Sequence, residues 1–364
     1  MTDDRFASQL LAGRPAASVE AVVGRLLAVQ AQDLRGARLA VRARSSGLTA
    51  AEVDHALTVD RSVVVAWLNR GTLHLVRADD YPWLQGLTAP RTVTANRRRL
   101  AQEGVPAGDV ERGVGVIAAS VERHGPLTRL QLKERLDAAG VRTEGQALVH
   151  LLLAASLRGL VVRGPVVGTG QAFVSTRDWL GATATAPVDR ERALAALARR
   201  YLAGHGPADE RDLARWSGLP LGDVRAGLRS IGGELVEHPG GLVGLAPARR
   251  RPPVPAPRLL GPFDPLLLGW SSRDALVGPF RGVVTTNGIV RAVALVDGKV
   301  AGTWTTGRGP LTLTAPDGIP PAVLDALHDD ARDVARFLGS PGLVPMVVDG
   351  PDGPDGPVGP VGGP

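Results

Sequence analysis

Cysteine is absent from this chain of 364 residues. Its absence excludes disulfide bonds, thiolate catalysis and thiolate-ligated zinc, and it fits a protein of the reducing cytoplasm. Long hydrophobic runs are also missing: no apolar stretch reaches about 18 residues, so we expect no membrane-spanning helix. The first residues, MTDDRFASQLL, are acidic where a secretion signal would be basic, so no such signal is expected.

Lysine and aromatic residues are scarce. Only Lys133 and Lys299 are lysines, so 40 of the 42 basic residues are arginine. Aromatic residues make up 4% of the chain, which leaves no stacking platform for an RNA-binding scaffold. The formal net charge of +6 is uneven: residues 1–100 have 14 basic and 9 acidic side chains, whereas residues 261–364 have 7 and 11. The arginine-rich first part indicates a polyanionic partner.

The first hundred residues predict two helices and a hairpin. Residues 18–30 carry a helical stripe of valine and leucine behind the capping residue Ser18, and residues 49–57 begin at Thr49 with a capping-box pattern. Residues 62–77 place β-branched residues on both sides of Asn-Arg-Gly, as in a hairpin. Helix, helix, hairpin is the order of a winged helix.

The tripeptide His-Gly-Pro marks two further copies of this pattern, at 124–126 and 205–207. In both copies glycine stops one helix, an amphipathic helix follows, and a third helix leads into short strands. The spacing of 81 residues is too long for a solenoid unit. We therefore predict an α+β fold with three tandem winged-helix domains, at residues 1–100, 101–180 and 181–250.

A linker rich in proline and arginine, residues 246–258, separates these units from a predicted β-rich domain at 259–340. Two-residue turns at Asn287-Gly288 and Asp297-Gly298 predict a three-stranded antiparallel meander. A helix is expected at about 320–338. The proline- and glycine-rich tail, residues 349–364, cannot bury a core and is expected to be disordered.

Two glutamines near the end of the first predicted helix are the candidate catalytic residues. Gln30 is in register with the apolar stripe, and a buried amide must find hydrogen-bond partners. The simpler interpretation is a glutamine that satisfies backbone groups at a helix end. Gln32 cannot share a helix face with Gln30, because positions two apart point differently. The two amides can therefore converge only if the helix ends or distorts near Val29.

The hairpin supplies the candidate DNA contacts. In the segment WLNRGTLH, residues 67–74, strand alternation would place Arg70, Thr72 and His74 on one face, where they could contact phosphate or a base edge. A solvated sheet face is the alternative interpretation. A basic cluster on the following predicted helix adds candidate phosphate contacts: Arg97, Arg98 and Arg99.

Motifs for metal or cofactor binding are missing. The sequence has no HExxH, phosphate-binding glycine loop, GxSxG or metal-spaced histidine cluster, so we expect neither a metal nor a cofactor. Asp264 stands alone among apolar residues in FDPLLLG, residues 263–269. A carboxylate that caps a turn is favoured there over a catalytic acid.

Taken together, these motifs resemble the AlkZ-type DNA glycosylases, which belong to a winged-helix superfamily that also contains the YcaQ-like proteins. The resemblance rests on Gln-x-Gln, WLNRGTLH, FDPLLLG and Gly-x-x-x-Gly-Thr-Trp at 298–304, and it covers about residues 5–340. It implies a concave basic cleft between three winged helices and a C-terminal antiparallel β element. It also assigns catalysis to Gln30 and Gln32, whereas the YcaQ-like branch has aspartate at the second position. In this chain the second position is Gln32, and Asp33 follows it directly.

The resemblance implies that bulky alkylated purines, including crosslinks made by natural products, are excised from double-stranded DNA. An N7-alkylated guanine is already cationic and leaves as a neutral base, so positioning water and stabilising the sugar suffice. No lysine lies near Gln-x-Gln or WLNRGTLH, so we expect a monofunctional enzyme without a Schiff-base step. Bulky adducts favour an open cleft over full base flipping. A monomer of the cytoplasm, associated with the nucleoid, is expected.

One other class of protein fits the same pattern. A non-catalytic winged-helix transcriptional regulator would share the tandem domains and the charge profile. The paired glutamines and the absence of an obvious ligand or dimerisation domain favour the glycosylase.

Overall fold

The computed structural model describes residues 3–168, 170–182, 188–246, 254–306, 310–340 and 346–349. Most of the predicted linker, residues 247–253, and the predicted tail from 350 onward lie outside the described residues. The described chain mixes helices with three β-sheets, two of five strands and one of two. The expected α+β class is therefore confirmed.

The first part of the chain forms helices around a hairpin. Its elements are α1 (Asp3–Ser8), α2 (Val19–Leu26), β1 (Val29–Gln30), α3 (Leu34–Arg42), α4 (Ala50–Thr58), β2 (Val63–Leu68), β3 (Thr72–Arg77) and α5 (Tyr81–Gln102). The predicted caps are present: the Ser18 side chain accepts from the backbone of Ala21, and Thr49 forms a capping box with Glu52.

Helix α2 is shorter than predicted. It ends at Leu26, and Leu27 takes a positive φ of 66°, so the expected helix up to residue 30 is wrong. The chain then runs into the short strand β1, which pairs with β3. Helix α3 was missed by the sequence interpretation, although Asp33 caps it by accepting from the backbone of Arg35.

The order helix, helix, hairpin recurs twice more. The second group is α6 (Ala107–His124), α7 (Arg129–Ala138), α8 (Ala147–Leu157), β4 (Val161–Val167) and β5 (Gly170–Ser175), followed by α9 (Thr176–Leu180). The third is α10 (Arg190–His205), α11 (Glu210–Ser217), α12 (Leu221–Ser230), β6 (Leu235–His238) and β7 (Leu242–Leu245). Both His-Gly-Pro segments end a helix, as expected.

A single sheet joins the first two hairpins. Its strand order is β1-β3-β2-β4-β5, and Val65 of β2 pairs with Arg163 of β4. In each of the three groups, an extended residue after the first helix pairs with the last strand of the hairpin. In the second and third groups these pairs are Leu127 with Phe173 and Ala208 with Val243.

The C-terminal sheet has the order β12-β11-β10-β9-β8. Its elements are β8 (Arg258–Leu260), α13 (Pro265–Leu268), α14 (Asp274–Val277), β9 (Val293–Val296), β10 (Lys299–Thr306), β11 (Leu311–Thr314), α15 (Pro321–Leu338) and β12 (Val347–Asp349). The Asp297-Gly298 turn and the helix after residue 320 are confirmed.

Three expectations for this region are wrong. The Asn287-Gly288 turn is flanked by one isolated bridge between Val284 and Val290 instead of a regular first strand of the meander. The sheet is not wholly antiparallel, because β12 pairs with β11 in parallel. Asp349, which we expected to begin the tail, belongs to β12.

The C-terminal segment packs against the first part of the chain. One buried apolar cluster combines α2, α3 and α4 with β8 to β11 and α15. Two ion pairs reinforce this packing: the completely buried pair of Arg44 with Asp264 at 2.7 Å, and the partly buried pair of Arg42 with Asp330 at 3.0 Å. The β-rich segment is therefore held against the elements that carry Gln30.

Candidate active site

The short strand β1 brings Gln30 against His74. Val29 pairs with Leu75 and Gln30 pairs with His74 in the antiparallel ladder, and the Ala31 N–H donates to the Leu73 carbonyl at 2.8 Å. Gln30 is 8% exposed. The interpretation of Gln30 as part of a helical apolar stripe is wrong, because the strand pairing with β3 fixes this segment in an extended form.

The two glutamine side chains are hydrogen-bonded to each other. Gln30 Nε2 donates to Gln32 Oε1. In an extended chain, residues two apart point to the same side, so the early end of α2 lets the amides meet. Gln30 Oε1 and Gln32 Nε2 take no part in this bond and can serve another molecule. Gln32 is exposed, so the pair reaches from the buried strand to the surface.

His74 is neutral at physiological pH. Its pKa is lowered to about 4, mainly by burial; the positive charge of Arg70 also lowers the pKa, and a backbone hydrogen bond to Thr72 opposes both effects. Nδ1 lies 2.9 Å from the Thr72 carbonyl oxygen. A carbonyl can only accept, so Nδ1 carries the proton and Nε2 carries the lone pair.

Arg70 is not in the strand, which corrects one expectation. It lies in the turn between β2 and β3, and only Thr72 and His74 alternate on β3. Arg70 Nη1 donates to the carbonyl of Arg215 at 2.6 Å and approaches that of Trp216 at 3.4 Å. The Thr72 hydroxyl is buried and has no hydrogen-bond partner in the described structure.

A small concavity collects these residues from distant parts of the chain. Sequence reasoning supplied Gln30, Arg70 and His74, but it missed the apolar side of the site. The lining residues are Ala28, Gln30, Arg70, His74, Trp216, Pro265 and Leu268. Pro265 and Leu268 belong to the FDPLLLG motif, which was the available signal. Nothing in the local sequence marks Trp216, which is buried at the end of α11.

Asp264 supports the concavity and is fully occupied by protein groups. Its carboxylate accepts from the backbone of Leu266 at 2.9 Å, and it pairs with the Arg44 guanidinium at 2.7 and 2.9 Å. Both side chains are completely buried. The expected turn cap is confirmed, and the same contacts fix the short helix α13.

Several predicted residues lie outside the lining of this concavity, Gln32 and Thr72 among them. Arg97, Arg98 and Arg99 are exposed on α5, where Arg99 pairs with Glu103 at 2.9 Å, and none of them lines the concavity. The Asp33 carboxylate accepts from the Arg35 backbone at 2.9 Å, so it acts as a helix cap.

The described residues contain neither a metal-binding cluster nor a membrane-spanning helix. No group of three or more histidine, aspartate and glutamate side chains there is arranged to hold a metal ion. No helix among them is both long and apolar enough to cross a membrane.

Three comparisons with known proteins agree. A family model described as DNA glycosylase AlkZ-like matches residues 23–337. A curated relative, the interstrand DNA cross-link repair glycosylase of Streptomyces sahachiroi, is 27% identical over 359 residues, which cover 92% of this chain and 95% of the relative. The solved structure of Streptomyces sahachiroi DNA glycosylase AlkZ is similar, with a TM-score of 0.77 and 26% identity over 95% of this chain and 98% of that one.

Proposed function

Because this chain belongs to the AlkZ-like family of DNA glycosylases, we propose that it hydrolyses the N-glycosidic bond of bulky N7-alkylated purines in double-stranded DNA. We further propose that the three helix–helix–hairpin groups are winged helices around a basic cleft, and that the chain works as a monomer. The glycosylase activity itself follows from the family. We propose the substrate, the basic cleft and the roles of the site residues.

The observation that carries the proposal is the hydrogen bond between Gln30 and Gln32 at the edge of the concavity. It fixes both side chains and leaves one amide oxygen and one amide NH₂ for other contacts. We assign Gln30 Oε1 to the attacking water and the Gln32 amide to the water or the sugar. Amides held in place in this way stabilise developing charge without reorganising during the reaction.

The chemistry needs no acid at this site. An N7-alkylated purine is cationic and departs as a neutral base, so protonation of the leaving group is unnecessary. The sugar develops positive charge as the bond breaks, and a neutral His74 adds no repulsion to that charge. Lys133 is paired with Asp137 on the surface and Lys299 begins β10. A lysine Schiff base is therefore not part of the proposal, and the product is an abasic site.

Bulky adducts and crosslinks are the proposed lesions. The relative from Streptomyces sahachiroi is named as an interstrand DNA cross-link repair glycosylase, and we extend this substrate class to the present chain. Self-resistance to a DNA-alkylating natural product is the corresponding proposed biological role, in the cytoplasm at the nucleoid. The regulator hypothesis gains no support, because each named similar protein is a glycosylase.

A gel assay tests the proposed substrate. An end-labelled duplex with one N7-methylguanine is incubated with the protein and then with an abasic-site endonuclease, and a second duplex carries a defined N7–N7 guanine crosslink. We expect strand scission only after both proteins act, and loss of the crosslinked band. Scission without the endonuclease would contradict the monofunctional assignment. No scission of either duplex would contradict the proposed substrate class.

A further inference from the structure

Three arginines from distant parts of the chain lie near one another beside the concavity. Arg70 lies in the β2–β3 turn and lines the concavity, Arg215 lies in the last turn of α11, and Arg273 directly precedes α14. The 2.6 Å hydrogen bond from Arg70 Nη1 to the Arg215 carbonyl joins the first two. Ser271, two residues before Arg273, donates its hydroxyl to Asp212 of α11 at 2.7 Å, so this segment lies against α11. Burial lowers the pKa of Arg70, and the positive charges of Arg215 and Arg273 add to that effect.

Among the described residues, these three guanidiniums have no acidic partner. In the part of the chain that the structure describes, no carboxylate forms an ion pair with Arg70, Arg215 or Arg273. Arg225, on the neighbouring helix α12, shows the usual arrangement, because it pairs with Glu210 at 2.6 Å. Three like charges held close together without a counter-charge disfavour each other, and an anion between them relieves that repulsion.

We propose that Arg70, Arg215 and Arg273 form a phosphate clamp, which binds the backbone of the damaged strand beside the nucleotide that Gln30 and Gln32 attack. The clamp rests on the proposed function, because it presumes a DNA strand in the concavity. The phosphates on either side of a nucleotide are the anions nearest to its sugar. The guanidinium fork fits two phosphate oxygens at once, which suits a contact that must set the position of the sugar.

The backbone at the end of α11 holds Arg70 in place for this contact. The carbonyls of Arg215 and Trp216 belong to the negative end of the α11 dipole, which favours a cation there. Gly218, the first residue after α11, has a φ of +77°, and a Cβ added to it would lie only 3.0 Å from Arg70 Cγ. The third helical group therefore holds Arg70 in position. This contact links that group to the β2–β3 hairpin, whose strand β3 pairs with the strand β1 that carries Gln30.

Affinity measurements with undamaged duplex give the first test. Arg215→Ala and Arg273→Ala should each weaken binding about tenfold, as expected for a lost charge-assisted hydrogen bond. Each should reduce the slope of log affinity against log salt by about one. The control Arg225→Ala removes the same charge from a paired arginine and should leave both quantities unchanged. Thermal unfolding verifies that these substitutions leave the fold intact.

A methylphosphonate replaces one charged DNA phosphate with a neutral linkage, so its effect at different positions shows which phosphate the clamp binds. Single methylphosphonates are placed next to the N7-methylguanine nucleotide or about six nucleotides away, and single-turnover excision is measured at subsaturating enzyme. The adjacent methylphosphonate should lower the wild-type rate about tenfold and cause little further loss in Arg215→Ala, because both changes remove one contact. The distant methylphosphonate should lower the rates of both proteins by the same factor.

Failure of the clamp is distinguishable from failure of the proposed function. If wild-type protein excises N7-methylguanine while Arg215→Ala and Arg273→Ala bind and excise as the wild type does, the clamp is overturned and the function stands. Additive losses from Arg215→Ala and the adjacent methylphosphonate also overturn it. If the wild type excises nothing, the function fails, and the clamp is then judged by the binding and salt data alone.

Discussion

Neutral groups dominate the residues nearest the proposed reaction. Gln30 and Gln32 do not titrate. The pKa of His74 is lowered to about 4, mainly by burial, so this side chain is uncharged above that pH. A cationic substrate needs no proton from the enzyme, and it is better served by amide and imidazole lone pairs than by a charged histidine. The site is therefore suited to a leaving group that is already activated.

The lowered pKa of His74 predicts a pH-dependent stability. The unfolded chain binds a proton at this histidine below about pH 6.5, whereas the folded chain does so only near pH 4, so stability falls as the pH drops through that window. His74→Gln should remove about 3 kcal/mol of this dependence. Urea unfolding at pH 7 and pH 4.5 measures it, with the exposed His124→Gln as the control. An equal slope in His74→Gln and wild type would contradict the assignment.

The sequence indicates the residues proposed to react but not their surroundings. Gln30 was identifiable as an amide on an apolar stripe, Gln32 as a second amide two residues later, and His74 from strand alternation. Trp216 was not, because it joins the site only through contacts with residues far away in the chain. Arg70 was identified with the wrong local structure, since a turn residue with strand-like neighbours has no distinct pattern.

The end of α2 decides the geometry of the glutamines. An eight-residue helix and a two-residue strand together have the same apolar spacing as one longer helix, so the sequence could not separate them. Pairing between β1 and β3, a tertiary contact, resolves the ambiguity. The hairpins and the capped helices were predictable, because turn and cap residues act locally.

The close packing between α2 and α10 can be tested with a glycine substitution at their contact. A Cβ at Gly204 would lie 2.3 Å from the Arg25 carbonyl oxygen, so Gly204→Ala must push the two helices apart. We expect a loss of about 1–3 kcal/mol in stability and slower excision, because α2 leads directly into Gln30.

The matched control for that substitution is Gly115→Ala on α6, where an added Cβ meets nothing within 4 Å. It should be neutral or stabilising by about 0.5–1 kcal/mol. Chemical denaturation and single-turnover excision measure both variants. Wild-type stability in Gly204→Ala would show that α10 does not fix the end of α2.

On the scale of the whole molecule, distant segments share their cores. The C-terminal sheet and α15 complete the apolar cluster of the first helices, and another cluster joins the first and third helical groups with residues 260–300. The α+β class and the final helix were predictable from local signals. The parallel pairing of β12 was not, because a strand of three residues carries no signal for its partner.

The buried Arg44–Asp264 pair predicts how strongly these segments depend on one another. Asp264→Asn leaves the Arg44 guanidinium buried without a counter-charge, which should cost about 3–5 kcal/mol and loosen the wall formed by Pro265 and Leu268. Denaturant unfolding measures the loss, and the exposed Glu237→Gln on β6 is the control. A loss below about 1 kcal/mol would contradict the structural role of the pair.

The proposal that Gln30 and Gln32 carry out catalysis is tested most directly by single-turnover excision of N7-methylguanine at saturating enzyme. The rates of the wild type, Gln30→Ala and Gln32→Ala are compared. Each variant should excise roughly a hundredfold more slowly, as for the loss of one preorganised hydrogen-bonding group. Duplex affinity should stay within about twofold, because neither side chain is charged. Gln102→Ala, at the end of α5, should match the wild type. Wild-type rates in both glutamine variants, with an active wild-type enzyme, would contradict the assignment of catalysis to this pair.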